Sequence, residues 1–314
     1  MTIALDARSF PTDAQRAWRF VKFVRHLPTI PLCILSLLFF VAMFADVIAP
    51  HSKLDPVTPT SAQCMAQYGA PSCPYLEGVP PFWSEGGNLN TPLGADFLGR
   101  DVLSRLMHGA RISLLVAFLG TLVAGTIGTL LGVMAGYMGR WWDQIIMRIT
   151  DAWLTLPSLV FAILLLSVRG PGIWNVVLVL ALVFWSRYSR AVRGEVLALR
   201  ERDFVKLAEI NGISKSRIIF RHLIPNVMNT VMVLFSLQVG VAVIIEASLS
   251  FLGVGVPPPE PSWGLMLAQE RDAMMEGKWW LAIFPGICIS MLVLSANMLG
   301  DWLRVHLDPQ LRNR

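Results

Sequence analysis

Charge is scarce in this chain. Asp, Glu, Lys and Arg make up 15% of its 314 residues against 54% apolar ones, and the mean hydropathy is +0.57. That balance lies outside the range of ordinary water-soluble domains and points to several membrane spans. Local chemistry is missing too. No G-x-x-x-x-G-K-[ST] occurs, which excludes a nucleotide phosphate cradled by a P-loop in this chain. The five histidines, His26, His51, His108, His222 and His306, form no H-E-x-x-H and no local cluster, so nothing local suggests a metal site or a hydrolase triad. Cysteines number four, too few for a disulfide scaffold. Cys33 and Cys288 fall in apolar runs and read as core packing. The first apolar run starts only near residue 30, after a long polar lead, so the N-terminus does not read as a cleavable signal peptide.

What is present is a set of apolar runs. A spanning helix needs about 20 apolar residues, because a rise of ~1.5 Å per residue must cross ~30 Å of hydrocarbon. Six segments qualify or nearly do: residues 30–49, 112–138, 152–168, 170–186, 223–245 and 279–300. The predicted fold class is therefore an all-α membrane protein with six transmembrane helices. With the N-terminus inside, 19 of the 26 basic residues fall on cytoplasmic segments, which places both termini in the cytoplasm. The net charge of +5 then reports orientation in the lipid, and no nucleic-acid partner is required. The expected division is a cytoplasmic segment 1–29, a membrane domain 30–300 and a cytoplasmic tail 301–314. Within the membrane domain lie an extracytoplasmic loop 50–111 and a cytoplasmic loop 187–222.

Several details follow from residue type. Cys64 and Cys73 stand in the extracytoplasmic loop, where an oxidising compartment lets them close a short ring; two free thiols are the alternative. Gly128, Gly132 and Gly136 recur every four residues, lining one face that another helix can approach closely. Pro157 and Pro225 are expected to tilt or break helices. The stretch LMLAQERDAMM, residues 265–275, has helical apolar spacing and is expected to lie flat at the outer surface, anchored by Trp263, Trp279 and Trp280. Glu246 follows an uncharged run and is a candidate for an outer gate, with Arg111 or Ser248 as partners. An interfacial, hydrated carboxylate is the alternative.

The cytoplasmic stretch FVKLAEINGISKSRIIFRHLIPN, residues 204–226, carries unusual charge for its surroundings. Phe204, Leu207 and Ala208 fall at i, i+3 and i+4, one apolar face of a short helix. Gly212 can close that helix in a left-handed cap and Ser214 can start the next. The product is a helix-turn-helix knob with basic residues such as Lys206 and Arg217 outside.

This segment resembles the EAA loop of bacterial ABC importer permeases, with Lys206, Leu207 and Ala208 at the triplet, then Gly212, Ile224 and Pro225. Lys206 and Leu207 depart from the usual acidic and small residues. TPLGADFLGRDVLSRLMHGARISL (91–114), EASLSFLGVGVPPPEPSWGLML (246–267) and GDWLRVHLDPQLR (300–312) are similar to the C-type permeases of the dipeptide, oligopeptide and nickel family. The cysteine-bearing insertion around 58–82 departs from that pattern. The resemblance implies a type I importer permease fold in a bacterial inner membrane. It also implies a second, homologous permease subunit, two ATP-binding subunits that hold ATP and Mg, and a periplasmic or extracellular solute-binding protein. The knob would couple to the ATPases, and this chain would hold no cofactor and catalyse no reaction. Peptides are the expected cargo, with nickel, glutathione or another peptide-like solute as alternatives. A secondary transporter, relaying protons through Asp151 and Glu246, or a membrane-anchored scaffold are different classes, and both lack an ATPase partner.

Overall fold

A computed structural model of the chain describes residues 28–57, 64, 65, 69 and 76–307. Helix dominates, and among the described residues the sole β pairing is an isolated bridge between Ala95 and Asp101. The elements are α1 Thr29–Met43, α2 Ala45–Ile48, α3 Val102–Met138, α4 Arg140–Thr155, α5 Ser158–Arg169 and α6 Ile173–Arg200. There follow α7 Asp203–Ile210, α8 Lys215–Ile218, a π-helical turn Ile219–Leu223, α9 Ile224–Phe251, α10 Trp263–Gln269 and α11 Trp280–Leu307. Four stretches are long and apolar enough to cross a membrane: α3, α6, the continuous run Lys215–Phe251 and α11. The pair α4–α5, bent by 93°, makes a fifth if taken as one broken span. α1, at 15 residues, is shorter.

The helices overrun the apolar segments because caps and backbone hydrogen bonds, not apolarity, decide where a helix stops. α3 begins ten residues before the apolar run at 112. Asp101 caps it, its carboxylate accepting from Ser104 N at 2.8 Å and from Ser104 Oγ at 2.6 Å. α9 runs past Glu246 to Phe251. The bend between α4 and α5 falls at Leu156 and Pro157, as expected of a proline whose ring and missing N–H interrupt the ladder.

Close packing of α3 on α6 organises the bundle, and the glycine series supplies it. A Cβ on Gly128 would sit 2.3 Å from the Trp185 carbonyl oxygen, one on Gly132 2.6 Å from that of Ser189, and one on Gly136 2.8 Å from Val196 Cβ. The three glycines thus line a helix contact. The large core joins α3, α6, α9 and α10, with Val116, Phe184, Tyr188, Leu249 and Trp263 in it. A second, small core lies at the opposite end, under α7. The two ends are called here the cap end, where the loop 76–101 and α10 sit, and the knob end.

Candidate functional site

At the knob end, α7 is a short amphipathic helix whose faces are divided differently from the sequence expectation. Val205 and Ala208 point inward and are buried with Ile218, Leu223 and Val227, against Val133 and Tyr137 of α3 and Val192 and Val196 of α6. Phe204, Leu207 and Ile210 point outward, 40%, 56% and 80% exposed. Ala208 therefore belongs to the inner face and not to one apolar face with Phe204 and Leu207. Gly212 has φ +72°, and the cap is a Schellman motif: Ile213 N donates to Ala208 O at 3.1 Å and Gly212 N to Glu209 O at 3.0 Å. Ser214 stands at the next N-cap, yet its hydroxyl makes no capping bond. Pro225 cannot donate to Arg221, and the turn just before it widens into the π-helical segment Ile219–Leu223, which absorbs the proline without ending the helix. Ile224 is half-buried beside that core.

The knob's surface is basic. Lys206 pairs with Glu201 at 3.0 Å and holds that exposed carboxyl below the usual carboxylate range. Arg217 is exposed, with no ion pair among the described residues. The knob thus presents exposed apolar side chains beside exposed cations, over a small packed core.

At the cap end the structure places Glu246 fully buried in α9. Ser113 Oγ of α3 donates to its Oε2 at 3.0 Å and Ser250 Oγ to its Oε1 at 2.8 Å. Both hydroxyls also accept from backbone: Trp263 N donates to Ser113 Oγ at 3.3 Å and Val256 N to Ser250 Oγ at 3.1 Å. Glu246 is thus the hub of a latch joining α3, α9, the 252–262 turn and α10.

The expected partners are engaged elsewhere. Arg111 pairs with Asp46 at 2.9 Å and donates to Ala42 O at 2.9 Å. Ser248 is half-buried, and its hydroxyl donates to Ile244 O at 2.7 Å. Asp151 is not near Glu246. It lies on α4 in an exposed ion pair with Arg190.

α10 does not lie flat at the surface either. Trp263 is fully buried, with its indole N–H donating to Leu106 O at 3.1 Å, and Gly264 lets α10 approach α9 so closely that a Cβ there would sit 2.4 Å from Ala247 Cα. Sequence reasoning missed Ser113 and the glycine contact because partners 133 residues apart leave no local periodicity, whereas Ser250, four residues from Glu246 on the same helix, carried an i, i+4 signal that could have found it.

A second buried polar group flanks the latch. Asp96 accepts from Leu98 N, Arg100 N and Arg100 Nε, and from Arg105 Nη1. Arg105 also donates to Gln269. Glu270, 4% exposed, lies beside them, and burial, then the Asp96 charge, push its carboxyl up to about 7. Cys64 is buried and disulfide-bonded, while Cys73 lies outside the described residues.

Several long apolar helices, one broken by a proline, with a packed knob at one end and a latched cap at the other, define a polytopic membrane protein. The comparisons narrow that class. Residues 128–313 match the model for the binding-protein-dependent transport system inner membrane component, and the chain belongs to that family. It is 38% identical to the di/tripeptide transport system permease protein DppC of Pseudomonas aeruginosa, over 90% of this chain and 88% of that one. It is 39% identical to the dipeptide transport system permease protein DppC of Alkalihalophilus pseudofirmus (77% and 79% covered). Identity is 41% to the glutathione transport system permease protein GsiD of Pectobacterium atrosepticum (73% and 76% covered).

Proposed function

We propose that this chain is one of two permease subunits of an ATP-driven, binding-protein-dependent importer of short peptides, built on six spans with both termini in the cytoplasm. The broken pair α4–α5 counts as one span and the short α1 as another. The observation that carries the coupling assignment is the outward face of Phe204, Leu207 and Ile210 on a knob whose inner face is sealed into its own core. Such a surface suits a groove on a separate ATPase subunit, which would hold ATP and Mg. Because the small core joins α7 to α3, α6 and α9, a push on the knob moves those helices as one body, and the path alternates between inward- and outward-facing states. The cap end then faces a solute-binding protein, and a second, homologous permease completes the path.

Peptide cargo rests on the names of the relatives, and the glutathione relative favours a second reading in which the solute is that tripeptide. One experiment tests the whole assignment. The chain is copurified with its ATPases, reconstituted, and supplied with binding protein loaded with labelled dipeptide, tripeptide or glutathione. Uptake that needs ATP is expected. Uptake driven by a proton gradient without ATPases would identify a secondary transporter, and no uptake of any of the three would remove the peptide reading.

A further inference from the structure

On α6, three arginines follow at three-residue spacing, and their partners differ. Arg190 pairs with Asp151 of α4, and Arg193 with Asp143 of α4 at 2.7 Å. Arg187 has an amide instead: Nη1 donates to Gln238 Oε1 of α9 at 3.2 Å, and the guanidinium lies 5.4 Å from the Phe184 ring centre. Among the described residues no carboxylate meets it. Eight residues further along α6, Glu195 meets α9 again, through a hydrogen bond with Thr230, and its Oε2 is buried with no hydrogen-bond partner. One seam between two spans therefore holds a cation and an anion, each incompletely matched.

They cannot match each other. Eight residues at a rise of ~1.5 Å separate them by about 12 Å along the axis. Next to Glu195 the surface is open: Gly194 is exposed, and a Cβ there would meet nothing within 4 Å. An orphan carboxylate oxygen carries a desolvation penalty until something donates to it, and ionisable residues in spans cluster where solutes pass. An extended peptide covers about 3.3 to 3.6 Å per residue, so the interval fits roughly three or four residues.

We infer that the α6–α9 seam is a binding site for a zwitterionic short peptide, the α-carboxylate at the Arg187 fork and the α-ammonium at Glu195. The inference rests on the peptide-import reading and adds to it a substrate contact inside the path. Charge at both ends would favour free termini, and the open strip at Gly194 would tolerate varied side chains.

The test avoids the binding protein, which has its own selectivity. The complete importer is reconstituted with ATP in the lumen, together with trialanine, N-acetyl-trialanine or trialanine amide, and import of a tracer peptide is followed. Lumenal trialanine is expected to slow import, with each capped form about tenfold weaker, as loss of a hydrogen bond to a charged group implies. Glu195→Gln should erase the difference between trialanine and its N-acetyl form alone, and Arg187→Gln the difference from the amide alone. Equal inhibition by free and capped peptides, or none by any, overturns the site. Free-versus-capped comparison uses the unmodified complex, so it stands even where a variant fails to assemble. If the unmodified complex imports no tracer, the import reading itself has failed; if it imports and the caps make no difference, only the seam has.

Discussion

Ser113 of α3 and Glu246 of α9, 133 residues apart in sequence, meet in a hydrogen bond of 3.0 Å in which the serine donates. An ionised carboxylate has no proton to give, so the Ser113 hydroxyl donates to it while its oxygen accepts from Trp263 N. Ser250 is held in the same way by Val256 N. The latch has four arms and one acceptor at its centre.

Glu246→Gln should therefore fail even though its shape is kept. The amide is neutral and offers one acceptor oxygen where the carboxylate offers two, so a hydrogen bond to a charged group, worth about 1.5 to 3 kcal/mol, is lost. In a two-state gate that is roughly a tenfold shift or more. Basal ATP hydrolysis by the assembled complex is expected to rise and its stimulation by loaded binding protein to weaken. Unchanged rates in a normally assembled complex would return Glu246 to a purely structural role.

The two faces of α7 separate docking from folding. Leu207→Asp puts a charge on the exposed side, so the protein should reach the membrane at normal levels and lose its ATPase on copurification. Ala208→Asp buries an unpaired carboxylate in the small core, at a cost of several kcal/mol, and should lower the amount of folded chain. Equal ATPase recovery with Leu207→Asp and the unmodified chain would remove the docking face.

Gly132→Val tests the α3–α6 contact. Its Cβ would lie 2.6 Å from the Ser189 carbonyl, a backbone atom that cannot swing aside, so folded protein should be lost, whereas Gly194→Ala on an open surface should be silent. Detergent-extracted yield and size-exclusion profile distinguish the two.

Local signals made part of this legible. Gly212 announces its left-handed cap, Pro157 its bend and the four-residue glycine spacing its helix contact, because each is a property of a few adjacent residues. The boundaries of α3 and α9 are less visible, since the apolar runs stop at Arg111 and Glu246 while the helices extend beyond them to Val102 and Phe251. In sequence Trp263 reads as an interfacial anchor, because its burial depends on Gly109 and Gly264 making room, which no window around Trp263 reports. The unmatched state of Arg187 was hidden for the same reason: Arg190 and Arg193 look identical in sequence, and only α4 tells them apart.

Cys64 is disulfide-bonded, and Cys73 is expected to be its partner. A membrane-impermeant maleimide applied from the cap side should label neither until a reductant is added, and should then label both. Labelling of Cys73 without reductant would place the partner of Cys64 elsewhere.

The final prediction concerns pH at the cap. Glu270 lies buried beside Asp96, Arg100 and Arg105, and burial followed by the Asp96 charge raises its carboxyl from the ordinary value of 4.5 to about 7. A carboxyl whose value is higher in the folded state contributes its full stabilisation below the unfolded value and loses it as pH rises through the folded one. The cap should therefore be tightest below about 4.5 and loosen progressively up to about 7, the window set by those two values. Glu270→Gln mimics the protonated state and should give a cap equally tight at pH values on either side of that window. Amide-exchange protection over the segment after α10, corrected for the intrinsic pH dependence of exchange, reads this directly. The same pH slope in the glutamine variant would assign the effect to another group and leave Glu270 as packing alone.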